Sequence, residues 1–180
     1  ELAPGWEFRV STDDLKSCYH QEAVSEARAR SNAVGDCVSL DFARSLAAWD
    51  YMTEDEQARC VADGAAQPLW GGGAMGDRNM CQYTQMAHGN VLRSGGCLAD
   101  GELVAYRRPW PVGATAEGVL IDDRLVFQQV KAGWSRDEAL AQLRGGPPSI
   151  SGAPVARDVE LLRRSTAVYA KVGLARHETK

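Results

Sequence analysis

What the chain lacks narrows its chemistry first. No apolar run approaches the roughly 20 residues of a membrane-spanning helix, and no signal peptide is visible. A soluble, intracellular protein is expected, with nucleus and cytoplasm undecided. No C-x-x-C occurs, and the five cysteines, Cys18, Cys37, Cys60, Cys81 and Cys97, are odd in number and widely spaced. A zinc cluster or disulfide framework is therefore not expected, and reduced core thiols are. The three histidines, His20, His88 and His177, are scattered and have no partner at metal-ligand spacing. The glycine-rich stretch Trp70-Gly71-Gly72-Gly73-Ala74-Met75-Gly76 lacks both the Gly-Lys-Ser/Thr ending of a P-loop and G-x-G-x-x-G spacing. Positive charge is not in excess either. The net charge of −4 and a pI near 5.4 count against a large phosphate-tracking surface on this piece.

What is present is an ordinary globular composition. The chain has 180 residues, 44% hydrophobic and 24% charged, enough for one domain with a real core. It starts at Glu1 rather than Met, so a fragment or processed product is expected.

The stretch Gly118-Val119-Leu120-Ile121-Asp122-Asp123-Arg124-Leu125-Val126-Phe127-Gln128 organises the rest. Its Val, Ile, Leu and Phe flanks predict two short strands, and Asp-Asp falls at the tip of the hairpin. Two adjacent carboxylates are costly to bury without a cation or hydrogen bonds. At a hairpin tip they stay wet and can face a metal, although Asp-Asp is also a common turn pair. A third carboxylate comes from the N-terminus. Trp6, Phe8 and Val10 alternate with Glu7 and Arg9, which is strand periodicity. That strand runs into Asp13 and Asp14, and the same Ser-Thr-Asp run would also suit a helix N-cap.

Further elements follow from local signals. Ser25 to Asn32 reads as a short exposed helix and Cys37 to Leu40 as a strand. Thr53 with Glu56 and Ser135 with Glu138 read as capping boxes, the first opening a helix that ends near Gly64. Asp77 to Arg93 is a predicted helix with Met80, Tyr83, Thr84, Ala87 and Val91 on one face. Gly95 to Gly113 reads as irregular, and 145–154 as a linker. A last helix carries Val155, Val159, Leu162, Thr166, Tyr169 and Val172 as a stripe, with Gly173 at its C-cap.

Four segments, in order, resemble the palm of a reverse transcriptase of retroelement type. Ser11-Thr12-Asp13-Asp14-Leu15-Lys16-Ser17-Cys18-Tyr19-His20-Gln21 is similar to the first catalytic motif. Gly73 to Met80, continuing to Gln85, resembles the Leu-Pro-x-Gly loop and the helix after it. Leu120-Ile121-Asp122-Asp123 resembles the Tyr-x-Asp-Asp box, and Tyr169-Ala170-Lys171-Val172-Gly173-Leu174, with Lys180 beyond, the closing Gly-Leu…Lys motif.

The resemblance implies an α+β palm over 1–180, with an antiparallel sheet bearing the carboxylates and helices packed on its other face. It implies catalysis by Asp14, Asp122 and Asp123. They would hold two Mg²⁺ ions (Mn²⁺ is also possible), and the Leu15 carbonyl would complete one shell. Tyr19 would pack under the sugar of the incoming nucleotide, Met75 and Gly76 would line its pocket, and Gln85 would face template or primer. The partners implied are an RNA or DNA template with its primer and deoxynucleoside triphosphates, and no membrane.

Three departures stand out. Leu120 replaces an aromatic residue, Gly73-Ala74 replaces Leu-Pro, and Glu22 replaces an apolar residue. Most of the fingers, and the thumb, are not in this chain, so the isolated piece is expected to be inactive. The alternative is a decayed or domesticated palm serving as a relic or binding module. A nucleotide cyclase on a similar palm is disfavoured, because the hairpin carries Ile-Asp-Asp rather than Gly-Gly-Asp.

Overall fold

The computed structural model describes residues 2–73, 79–145 and 155–177. In chain order its elements are strand β1 (Trp6–Asp14), helices α1 (Cys18–Gln21) and α2 (Glu26–Ser31), strand β2 (Val38–Ser39), helices α3 (Leu40–Ser45) and α4 (Glu54–Asp63), strand β3 (Ala65–Ala66), helix α5 (Met80–Ser94), strands β4 (Thr115–Leu120) and β5 (Asp123–Lys131), and helices α6 (Arg136–Leu143) and α7 (Arg157–Val172). A 3₁₀ turn over Ala47–Tyr51 precedes α4. The protein is thus α+β, with small antiparallel sheets and several helices. Its contacts divide it into two compact units, residues 1–18 with 78–180, and residues 19–77. Among the described residues no helix is long and apolar enough to cross a membrane.

The first unit is built on a three-stranded antiparallel sheet in the order β1-β5-β4. Strand alternation sorts its residues onto two faces. Arg9 and Asp13 of β1, with Arg124, Val126 and Gln128 of β5, are buried on one face. Phe8, Val10 and Thr12 lie on the other, where Phe8, Phe127 and Trp110 pack edge to face at 5.2–6.4 Å. Helix α7 packs on β5, α5 on β4, and the two helices on each other. Leu92, Cys97, Leu98, Val126, Leu161, Leu162, Val168 and Tyr169 make up most of this core.

Two helix faces agree with those expected only in part. On α5 the buried residues are Met80, Thr84, His88, Gly89 and Leu92, while Tyr83 is 61% exposed. On α7 the expected Val159, Leu162 and Tyr169 are buried, and so are Asp158, Leu161, Ser165 and Val168. The polar residues buried on α7 sit there because each has a partner. Asp158 takes both arms of Arg9, at 2.7 and 2.6 Å, and Ser165 donates to Asp13 at 2.8 Å.

In the second unit, β2 pairs with β3. The strand expected at Cys37–Leu40 is short, because Ser39 caps a helix there by accepting from the Phe42 N–H at 3.3 Å. The expected capping box is complete at Thr53 and Glu56, and α4 ends at Gly64 in the left-handed conformation, φ 67°. Residues 77–78, where the α5 helix was expected to begin, lie outside the described residues.

Candidate active site

The backbones of Asp14, Asp122 and Asp123 come together where β1 ends and the β4–β5 hairpin turns. Asp14 is the register partner of Asp123. Leu120 pairs with Asp123 on the other side, so Ile121 and Asp122 form a two-residue turn. The Leu15 N–H donates to the Asp122 carbonyl at 3.2 Å. Hydrogen-bonded and non-hydrogen-bonded pairs alternate along an antiparallel ladder. Asp14–Asp123 is therefore the non-bonded kind, with Cα atoms about 4.5 Å apart and side chains on one face. The N–H and C=O of an extended residue point the same way, which turns the Leu15 carbonyl toward the hairpin tip as well.

Ile121 has φ 58°. A β-branched residue in that region is a true outlier, and such strain persists only where the surroundings over-determine it. The surroundings here come from α5. The Ile121 N–H donates to Gln85 Oε1 at 2.6 Å, and Gln85 Nε2 donates to the Val119 carbonyl at 2.7 Å. His88 Nδ1 lies 2.8 Å from the Ile121 carbonyl, and His88 Nε2 lies 2.7 Å from the Tyr169 hydroxyl. A carbonyl only accepts, so Nδ1 carries the proton and Nε2 accepts from Tyr169. Burial holds the His88 imidazole below its usual pKa, and the Arg124 charge adds to this against the bond to Ile121. Burial also raises the Tyr169 phenol above its ordinary value, helped by the Asp13 charge.

Behind the carboxylates, on the opposite face, lies an ionic cluster. Arg124 is fully buried and pairs with Glu117 and with Asp13 at 3.2 Å. Asp13 also accepts from Arg176 at 2.8 Å. Burial works against the Arg124 charge, but Glu117 and Asp13 outweigh it and raise its pKa. Past Gly173 the chain returns to β1. The Lys16 N–H donates to the Ala175 carbonyl at 3.0 Å and the His177 N–H to the Asp14 carbonyl at 2.9 Å. Asp13, Asp14, Arg176 and His177 line a cavity of about 590 Å³ together with residues of α6 and α7.

The structure thus brings Asp14, Leu15, Asp122 and Asp123 together. Gln85, expected to face template or primer, has both ends of its amide on the hairpin backbone. Tyr19 belongs to the second unit, where its carbonyl accepts from the Gly73 N–H at 2.8 Å. Met75 and Gly76 lie outside the described residues. Glu22 is half-buried, and Leu120 is 67% exposed.

Two residues that shape the site were not anticipated. His88 continues the Met80, Thr84 series at a spacing of four, a signal that hydropathy alone passes over. Arg124 directly follows Asp123 inside an apolar run, and its burial rests on two partners, Glu117 seven residues back on β4 and Asp13, which is remote in sequence. Among the described residues, no three His, Cys, Asp or Glu side chains are grouped closely enough to hold a metal ion. Comparison with protein-family models, with curated proteins and with solved structures finds no match.

Proposed function

We propose that the chain is the palm of an RNA-directed DNA polymerase, extending a primer 3′-hydroxyl with deoxynucleoside triphosphates. The observation that carries this reading is the meeting of Asp14, Asp122 and Asp123 at one end of the sheet. Segments that resemble the family are also joined by direct bonds. Leu15 bonds Asp122, Gln85 bonds Ile121, and Tyr169 bonds His88 on the helix that carries Gln85.

The donors suit Mg²⁺. They are hard carboxylate oxygens, and a cation beside the Asp14–Asp123 pair would offset the repulsion of like charges that face each other across a strand pair. Mg²⁺ is commonly held by one or two carboxylates, with water and substrate phosphates filling the remaining positions. A site without a closed cage of three protein side chains is compatible with that habit. Asp14 and Asp122 would hold the ions, with Asp123 beside them and the Leu15 carbonyl as a further oxygen. Bound there, the ions would supply a lowered pKa at the primer hydroxyl and neutralisation of the departing pyrophosphate. The residues of the chain hold the carboxylates in register and orient the turn, which is the positioning that dominates phosphoryl transfer. Tyr19, Met75 and Gly76 are assigned to the nucleotide by the resemblance alone.

The alternative is a non-catalytic palm retained as a binding module, favoured by Gly73-Ala74 in place of Leu-Pro. The test is Mg²⁺-dependent extension of a primed RNA template by the chain and by any longer polypeptide that contains it, beside Asp122→Asn. Extension that disappears with the substitution supports the polymerase. No extension by a folded protein that still binds primer–template overturns it and favours the binding module.

A further inference from the structure

We infer that Gln85 and His88 are positioning residues that hold Ile121 in its left-handed conformation and so fix where the Asp122 carboxylate sits. The inference rests on the reading of Asp122 as a metal ligand and adds to it a device that no motif supplies.

A two-residue hairpin turn with positive φ only at its first position favours glycine there. This chain has Ile121 at φ 58°. The conformation is therefore imposed from outside. Both backbone groups of Ile121 are engaged, its N–H by Gln85 at 2.6 Å and its carbonyl by His88 at 2.8 Å. Gln85 also holds the Val119 carbonyl at 2.7 Å, so its amide spans the turn. The two side chains lie three residues apart on α5 and hence on one helix face. The Tyr169 hydroxyl, 2.7 Å from Nε2, fixes the imidazole from α7. On the far side, the Asp122 carbonyl accepts from Leu15. The peptide units on both sides of the Asp122 side chain are thus tied to separate elements. A glycine could form the same turn unaided but would leave it free to swing. A held isoleucine gives the carboxylate one direction.

The test is Mn²⁺ binding to the 180-residue chain, read by the electron paramagnetic resonance signal of free Mn²⁺, with thermal unfolding run in parallel. Gln85→Ala and His88→Ala are each expected to weaken Mn²⁺ binding about 10-fold or more, as loss of residues that orient a ligand does. His88→Asn, whose amide can donate from near the Nδ1 position, is expected to recover most of that loss. A fold-only role would not produce this rescue. Gln85→Ala decides the matter alone if His88→Ala does not fold. Folded variants that bind Mn²⁺ as tightly as the unaltered chain overturn the positioning role and leave the metal site standing. An unaltered chain that binds no Mn²⁺ overturns the metal site and this inference with it.

Discussion

Asp13 and Arg124 are register partners on β1 and β5, joined by an ion pair of 3.2 Å with side chains 6% and 0% exposed. Each is the immediate sequence neighbour of a carboxylate on the opposite face, Asp14 in one case and Asp123 in the other. The buried pair therefore locks the register that sets Asp14 against Asp123. A slip of one residue would place Asp14 in the core and Asp13 at the site. Removing one partner of such a pair leaves an uncompensated buried charge. Arg124→Met should cost about 3–5 kcal/mol of stability, with Glu117 and Asp13 both left buried. Urea unfolding measures this, and a loss below about 1 kcal/mol would mean the cluster does not hold the register.

The facing aspartates give a prediction of opposite sign. Like charges directly opposite on a strand pair are destabilising by a few tenths to about 1 kcal/mol. Asp123 is exposed, so its replacement disturbs no core. In a chelator-containing buffer, Asp123→Asn should be more stable than the unaltered chain by roughly 0.2–1 kcal/mol. Adding Mg²⁺ should stabilise the unaltered chain and narrow the gap, by linkage. If the substitution destabilises the chain in chelator, the two carboxylates do not repel and the site has no need of a cation.

Much of the site was legible because its hairpin is written in local terms. Val119, Leu120, Leu125, Val126 and Phe127 have strand propensity and Asp122 has turn propensity, but the turn is Ile121-Asp122 rather than the expected Asp122-Asp123, because Asp123 already pairs with Leu120. The apolar alternation that marks the first strand stops at Val10, although the strand was read on to its end at Asp13 and Asp14. β1 continues to Asp14 through polar residues whose partners are remote in sequence. Arg9 meets Asp158 at a separation of 149 residues, and Arg124 meets Asp13 at 111. No periodicity reports such pairs. The buried face of α5 was legible at Met80 and Thr84 but not at His88. Hydropathy favours Tyr83 and Ala87 over His88, yet both ring nitrogens of His88 find partners and the residue is 2% exposed. Ile121 at positive φ contradicts its own propensity, and that conflict falls at the candidate site, where such conflicts are expected.

The second unit can be probed through its capping box. Thr53 accepts from the Glu56 N–H at 3.3 Å, and Glu56 accepts from the Thr53 N–H at 2.8 Å. The Thr53 N–H and hydroxyl bonds hold the Glu56 carboxyl below its ordinary pKa. No residue of α4 is fully buried, so packing gives limited compensation if the cap is lost. Thr53→Ala should lower stability by about 1 kcal/mol and speed hydrogen exchange at the first amides of α4. Unchanged exchange there would mean that the cap does not limit fraying of the helix.

His88 makes stability depend on pH in a window above that of Glu26, Glu56 and Glu160. The imidazole is held below its ordinary pKa of 6.5, with burial the largest cause. Below pH 6.5 the unfolded chain takes up this proton while the folded chain resists it. Stability therefore falls as pH drops from 6.5 toward the folded value, and is fully present above it. Glu26, Glu56 and Glu160 are also lowered, from 4.5. Their contributions are present above 4.5 and lost only at lower pH, so the two windows separate. His88→Asn keeps a donor for the Ile121 carbonyl and removes the titration. Denaturant midpoints taken from pH 7.5 to 5 should decline for the unaltered chain and decline less for the variant. Parallel slopes would mean that His88 protonates as readily in the folded chain as in the unfolded one, and that its bonds to Ile121 and Tyr169 do not depend on the neutral ring.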